Sequence, residues 1–299
     1  MVGNRAEQPL RLGYRRDAGR RKWILSVIND VNDDTPVPSM PLRLIGEAAA
    51  MLRFYSRVPL PALGCFDDPA NPPPFARACR MLPMASLVIA LPMVVTIYLL
   101  GLTALPPLFI AVLTVSISLI TTGALHEDGL ADMADGFGGG HTLARKLEIM
   151  KDSRIGSYGA AALILAILGR VILIAGLIEQ GSGIAAACLL AAAVVSRTLA
   201  LGVFTSLPSA RADGVAANIG RPDSTALIVA GVLTIGLLIC LAVPTIGLAH
   251  AFVGSLAASA ISYAVARVAL NQIGGQTGDI IGAAQVLSEI AFLAGSLAF

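Results

Sequence analysis

The fold class this sequence predicts is all-α: a polytopic transmembrane helix bundle of about seven spans, with an N-terminal interfacial amphipathic helix ahead of them. Three observations predict it: apolar residues far outnumber charged ones, seven apolar runs are long enough to cross a bilayer, and Lys and Arg collect in alternate connections. Hydrophobic residues are 56% of 299 and charged residues 13%, about half the charged share of a soluble domain. One water-soluble core could not hide that much apolar surface, whereas a bundle in lipid presents it normally. A net charge of +2 is too small for a nucleic-acid partner. Cys65, Cys79, Cys188 and Cys240 are scattered without a CxxC, so neither a zinc site nor a disulfide framework is indicated.

Residues 1–40 are polar and carry Arg11, Arg15, Arg16, Arg20, Arg21 and Lys22. No apolar stretch with a small-residue cleavage site follows these charges, so they do not read as a secretory signal. They read as a disordered basic cytosolic tail or as a polybasic segment touching anionic lipid. Residues 41–299 read as one membrane-embedded catalytic domain. Leu42 to Val58 mixes apolar residues with Arg43, Glu47, Arg53 and Arg57, the pattern of a helix lying in the interface.

The seven runs are Met81–Gly101, Ala104–Leu125, Tyr158–Ile178, Gly183–Phe204, Ala226–Val243, Gly247–Leu270 and Ile280–Phe299. The connections at Leu102–Thr103, Glu179–Ser182 and Pro244–Ile246 contain no Lys or Arg. Arg145, Lys146, Lys151, Arg154, Arg211 and Arg221 fall in the alternate ones, on the side of the basic tail. The positive-inside rule then predicts a multi-pass protein of the cell inner membrane, with the amino terminus and the long loop after span two in the cytosol.

That loop holds the most informative stretch. Asp128, Asp132 and Asp135 are spaced i, i+4, i+7, within roughly 60° of one another on a helix of 3.6 residues per turn. Three carboxylates so placed repel, and a sequence tolerates that when a cation sits among them. Hard oxygen ligands at an aqueous edge suit magnesium, with manganese the alternative, shared with a substrate phosphate. The plainer reading is a solvated helix end, although such faces usually mix signs. His126, if helical, points roughly 160° away from the aspartates and reads as a structural or supporting residue.

Downstream, Lys151 and Arg154 are i,i+3 neighbours able to clamp phosphate oxygens, or to form surface ion pairs such as Glu148 with Lys151. Gly274-Gly275-Gln276-Thr277-Gly278-Asp279 offers backbone N–H groups at a helix start, an anion-binding nest. Asp279 serves there either as a helix cap or as a ligand. Glu289 lies roughly 15 Å into the last span, at 1.5 Å per residue. An acid in lipid needs a partner, so Glu289 is expected to face the bundle interior and pair with Arg197 or, failing that, Arg170.

The combination His126-x-Asp-Gly-Leu-Ala-Asp-x-x-Asp-Gly136, Lys151-Asp152-Ser-Arg-x-Gly156, Gly274-Gly-x-Thr-Gly-Asp279 and Leu287-Ser-Glu289 resembles the cobalamin synthase, or adenosylcobinamide-GDP ribazoletransferase, family. Phe54-Tyr-Ser-Arg-x-Pro-x-Pro61 is similar to its amino-terminal signature, and Glu127 departs from the pattern where a neutral residue is expected.

The resemblance implies magnesium-dependent attack of an α-ribazole hydroxyl, or that of its 5′-phosphate, on adenosylcobinamide-GDP, with release of GMP. It implies metal at Asp128, Asp132 and Asp135, with Asp135 as proton acceptor. It also implies phosphate binding by Lys151, Arg154, Asp279 and Gly275, and supporting roles for His126, Asp152, Glu289 and Arg197. Expected partners are the two small molecules and membrane lipid, with no nucleic acid; a homo-oligomer is left open. A CDP-alcohol phosphatidyltransferase is the nearest rival, but Asp132 stands where its DG-x-x-A-R motif has Arg. An ion-coupled transporter using Glu289, Arg197 and Arg170 is the second, but it would gather its polar residues at mid-membrane rather than at one edge.

Overall fold

The computed structural model describes residues 40–64, 69–70, 72–211 and 220–298. The basic tail, except for Met40, therefore lies outside the described residues. Among them every regular element is a helix: α1 (Met40–Tyr55), α2 (Phe75–Leu100), α3 (Pro107–Thr122), α4 (Leu125–Gly139), α5 (Leu143–Ile149), α6 (Ser157–Gln180), α7 (Ser182–Ser206), α8 (Ser224–Ile246), α9 (Leu248–Ile273) and α10 (Gly278–Leu297). Six of them, α2 and α6 to α10, are long and apolar enough to cross a membrane. The protein is an all-α polytopic bundle.

The second span differs from expectation. A straight helix over Ala104–Leu125 followed by a loop is replaced by a bent pair, α3 and α4, meeting at 90°. The 16 residues of α3 rise about 24 Å at 1.5 Å each, so the acidic stretch is a second helix running across the end of the first. Gly123 (φ 67°) and Ala124 (φ 56°) make the break, both in the left-handed region. For Ala124 that conformation costs roughly 1–2 kcal/mol. Arg57 offsets the cost: its backbone N–H donates to the Thr121 carbonyl at 2.7 Å. Its side chain also fills the space a Cβ on Gly123 would need.

The interfacial helix α1 is tied to the first span through Glu47, whose carboxylate is buried against Arg77 (2.8 Å) and Arg80 (2.7 Å). At the centre stands α7, the most enclosed span, its Ala-rich surface letting neighbouring backbones approach. Its neighbours α9 and α10 touch through Gly254 and Gly295, where a Cβ on Gly295 would sit 3.0 Å from the Gly254 Cα. Leu165, Ile172, Ile228, Val232 and Phe252 point outward and stay exposed, the surface a bundle offers to lipid. Thr142, Asp223 and Thr277 cap α5, α8 and α10 through their side-chain oxygens.

Candidate active site

Glycine packing brings the two polar clusters of the sequence together. A Cβ on Gly129 of α4 would lie 2.9 Å from the Asp279 Cα, and one on Gly282 of α10 would lie 3.2 Å from the His126 Cα. Only residues without side chains permit so close an approach. It sets Asp128 and Asp132 beside Asp279, from the far end of the chain.

Asp128 is exposed, while Asp132 and Asp279 are half-buried. Burial pushes the Asp132 carboxyl up to about 7, helped by the charges of Asp279, Asp128 and Asp135 and opposed by Arg211. Arg211 lies 3.6 Å from the Asp279 Oδ2 and also donates to the Leu147 carbonyl at 2.9 Å. Its approach is fixed by a backbone pairing: the Ala210 N–H donates to the Gln276 carbonyl and the Gln276 N–H to the Pro208 carbonyl, both at 2.8 Å. Gly275 permits this, since a Cβ there would strike the Pro208 carbonyl. The nest expected at Gly274–Asp279 is thus partly spent on chain pairing. Asp279 serves neither as the side-chain cap of α10, which is Thr277, nor as an isolated acid, since the Thr277 hydroxyl donates to it at 3.1 Å.

Asp135 differs from its two companions. Its carboxylate accepts the Gly156 N–H at 2.6 Å and the Gly159 N–H at 2.9 Å, filling the amino-terminal end of α6. Gly156 and Gly159 are glycines because a Cβ on either would collide with that carboxylate.

Among the described residues, no three Asp, Glu, His or Cys side chains close a ready-made ion cage. An open, one-sided set of carboxylates is what magnesium needs when substrate phosphates and water complete its octahedron. Asp128, Asp132 and Asp279 fit that requirement in donor type and in their excess of negative charge.

On the other side of Asp135, Arg154 holds Asp152 through both carboxylate oxygens, the shortest contact being 2.6 Å. Those hydrogen bonds hold the exposed Asp152 carboxyl down at about 2. Glu148 pairs with Arg145 at 2.8 Å, and Lys151 is exposed on the same segment. Asp135, Asp152, Arg154, Gly156 and Tyr158 line an open cleft of about 510 Å³.

A second cavity of about 350 Å³ opens at Asp128 and Asp279, walled by Phe54 and Tyr55 of the amino-terminal signature and by Phe75 and Phe204, which sequence reasoning did not single out. His126 lies at its edge, buried and stacked on Tyr55 with ring centroids 5.7 Å apart.

Behind this edge lies a closed charge cluster. Arg170 of α6 pairs with Glu127 (2.6 Å) and Glu289 (2.7 Å) and donates to the Ser118 hydroxyl at 2.9 Å. Glu289 faces the bundle interior and also accepts from Gln285 at 2.8 Å. Its ion pair therefore goes to Arg170, the second of the two partners expected. Arg197 turns one guanidinium nitrogen back to its own Ala193 carbonyl at 3.1 Å. Glu127, out of place in the family pattern, is here the second counter-charge of Arg170.

A polytopic bundle with an acidic edge and two cavities flanking it has the layout of a membrane-embedded enzyme. Residues 47–297 match the family described as Cobalamin-5-phosphate synthase, and the chain belongs to that family of transferases. It is 43% identical over 257 residues to the adenosylcobinamide-GDP ribazoletransferase of Azorhizobium caulinodans, covering 86% of this chain and 97% of the relative. The Sinorhizobium medicae protein of the same name is 43% identical over 260 residues, covering 84% and 95%. No solved structure matches.

Proposed function

We propose that this chain transfers the adenosylcobinamide-phosphate moiety of adenosylcobinamide-GDP to α-ribazole or its 5′-phosphate, forming adenosylcobalamin or its 5′-phosphate and releasing GMP. Family membership and the names of the relatives support the reaction. The observation that carries the chemistry is the convergence of Asp128, Asp132 and Asp279 where α4 meets α10.

In this reading the acceptor hydroxyl oxygen bonds to the cobinamide-side phosphorus. The bond from that phosphorus to the bridging oxygen breaks, and GMP leaves with the electron pair. Asp132 and Asp279 would hold magnesium, or manganese in its place, which when bound would supply charge neutralisation to the pyrophosphate. Asp128, the exposed member that lines the smaller cavity, receives the hydroxyl proton. Lys151 and Arg154 bind phosphate oxygens of the donor from the open cleft, and Asp152 orients Arg154. In this reading Asp135 fixes the start of α6 against α4, each of its oxygens accepting one backbone N–H, and Asp128 takes the proton-acceptor role in its place. The Lys and Arg distribution supports an active edge on the cytosolic face of the inner membrane.

The test supplies membranes containing the protein with adenosylcobinamide-GDP and α-ribazole, with and without magnesium. GMP is expected only when the ion is present. No GMP with any divalent ion overturns the reaction, and full activity in Asp132→Asn overturns the metal assignment.

A further inference from the structure

The chain has only one Trp, five Tyr and nine Phe, yet four of these rings meet in one place. Phe204 of α7 lies 6.0 Å from Phe75, Phe75 lies 5.2 Å from Phe54, and Phe54 lies 4.8 Å from Tyr55. Tyr55 then stacks on His126, with the two planes within 5° of parallel. The five rings form a continuous aromatic wall contributed by α1, α2, α4 and α7. In an ordinary core such rings would close on one another. Here they border a cavity of about 350 Å³ whose opposite side carries Asp128 and Asp279. His126 is 4% exposed, and its Nε2 is buried without a hydrogen-bond partner. A buried polar atom left so is costly unless a ligand or water completes it.

We infer that this cavity receives the aromatic heterocycle of the acceptor nucleoside, with His126 meeting a polar atom of that nucleoside. The inference rests on the proposed transfer reaction and specifies which substrate enters where. Three physical arguments select the acceptor. Flat rings bind a flat heterocycle by offset and edge-to-face contacts. The volume lies at the lower end of the roughly 300–1,000 Å³ typical of small-molecule pockets. That is adequate for a nucleoside and several times too small for a corrin macrocycle with its side arms. In the proposed reaction the ion held at the rim would take the pyrophosphate, and the guanosine beyond it lies with Arg154 in the open cleft, which leaves the cavity to the acceptor. With the heterocycle against Phe75 and Phe204, the ribose points toward Asp128, the proton acceptor of the proposed reaction.

The test uses the full chain in lipid nanodiscs and two measurements. Equilibrium binding of radiolabelled α-ribazole is measured without donor, and GMP release is measured with each substrate varied in turn. In Phe204→Leu and Phe75→Leu, α-ribazole binding and its KM are expected to weaken about tenfold, about 1.4 kcal/mol. The KM for adenosylcobinamide-GDP is expected to stay within about twofold, and Phe204→Tyr is expected to restore most of the binding.

A raised donor KM with unchanged acceptor binding overturns the inference, and so does an equal change in both. If these variants do not fold, wild-type binding is measured across nucleosides whose heterocycle is trimmed from two fused rings to one. Indifference to that trimming overturns the inference equally. Wild-type protein that binds α-ribazole but releases no GMP rejects the transfer reaction and leaves the cavity assignment standing.

Discussion

Glu127 and Asp128 are neighbours on one helix and meet opposite fates. Glu127 is buried and neutralised by Arg170, which Glu289 shares from the other side. Asp128 is exposed, in a group of acids where Asp132 feels the charges of Asp128, Asp135 and Asp279 and, among the described residues, the opposing guanidinium of Arg211. One step along α4 separates charge that lipid forces into balance from charge left unbalanced at an edge. Inside the bundle an ion pair is satisfied because the alternative is prohibitive. At the rim an excess of one sign persists, and in the proposed reaction a cation and a phosphate would complete it. Charge by itself does not mark the site; its lack of local compensation does.

That contrast is open to attack by mutation. The largest effect is expected from Asp132→Asn: a loss of about 10³-fold in GMP release, the scale of removing one preorganised electrostatic group. Folding is expected to hold, since neutralising Asp132 relieves repulsion. A thermal scan in detergent beside the activity assay checks both, and a variant that loses fold and activity together would dissolve the distinction.

Arg170→Met should behave in the opposite way. It strands two buried carboxylates and is expected to cost about 3–5 kcal/mol of stability, read as lost folded protein in a denaturant titration. Adding Glu127→Gln should recover part of it, because the remaining carboxylate of Glu289 still faces the buried Arg197. A double variant no more stable than Arg170→Met alone would show that the cluster is not the self-contained unit described here.

Gly129→Ala tests the contact that joins the two regions. The new methyl meets the Asp279 backbone at 2.8–2.9 Å, so α4 and α10 must part slightly. A misplacement approaching 1 Å costs about 10²-fold, and about 10-fold is expected here, with more magnesium needed for half-maximal rate. Unchanged magnesium dependence would detach Asp279 from the site.

Much of this was legible in the sequence because membranes impose simple rules: long apolar runs, basic residues in alternate connections, and paired acids within lipid. The spacing of Asp128, Asp132 and Asp135 was legible too, since a helix turns at a fixed angle. Three things were not. The break at Ala124 is invisible because alanine is a strong helix former, and its left-handed geometry comes from Arg57 far upstream. Asp135 is claimed by Gly156 and Gly159, more than a helix away, so three aspartates on one face do not share one fate. Arg211 and Phe204 reach the site through tertiary packing, and locally each reads as an ordinary loop cation or span residue. Local spacing names candidates, and long-range contacts then sort them.

The smallest effect expected concerns pH, and it belongs to the uncompensated edge. Burial first, then the charges of Asp279, Asp128 and Asp135, raise the Asp132 carboxyl to about 7. Between about 4 and about 7 the ion-free folded state keeps a proton that the unfolded chain has released, so this group makes stability fall as pH rises through that window. In the proposed site magnesium would displace the same proton. Its half-saturating concentration is therefore expected to rise as pH drops below about 7 and to level off above it. Asp279→Asn should move the onset to lower pH by removing the largest of the neighbouring charges. Magnesium titrations of the unfolding temperature across pH read this without requiring turnover. A flat profile would mean that Asp132 takes no part in holding the ion.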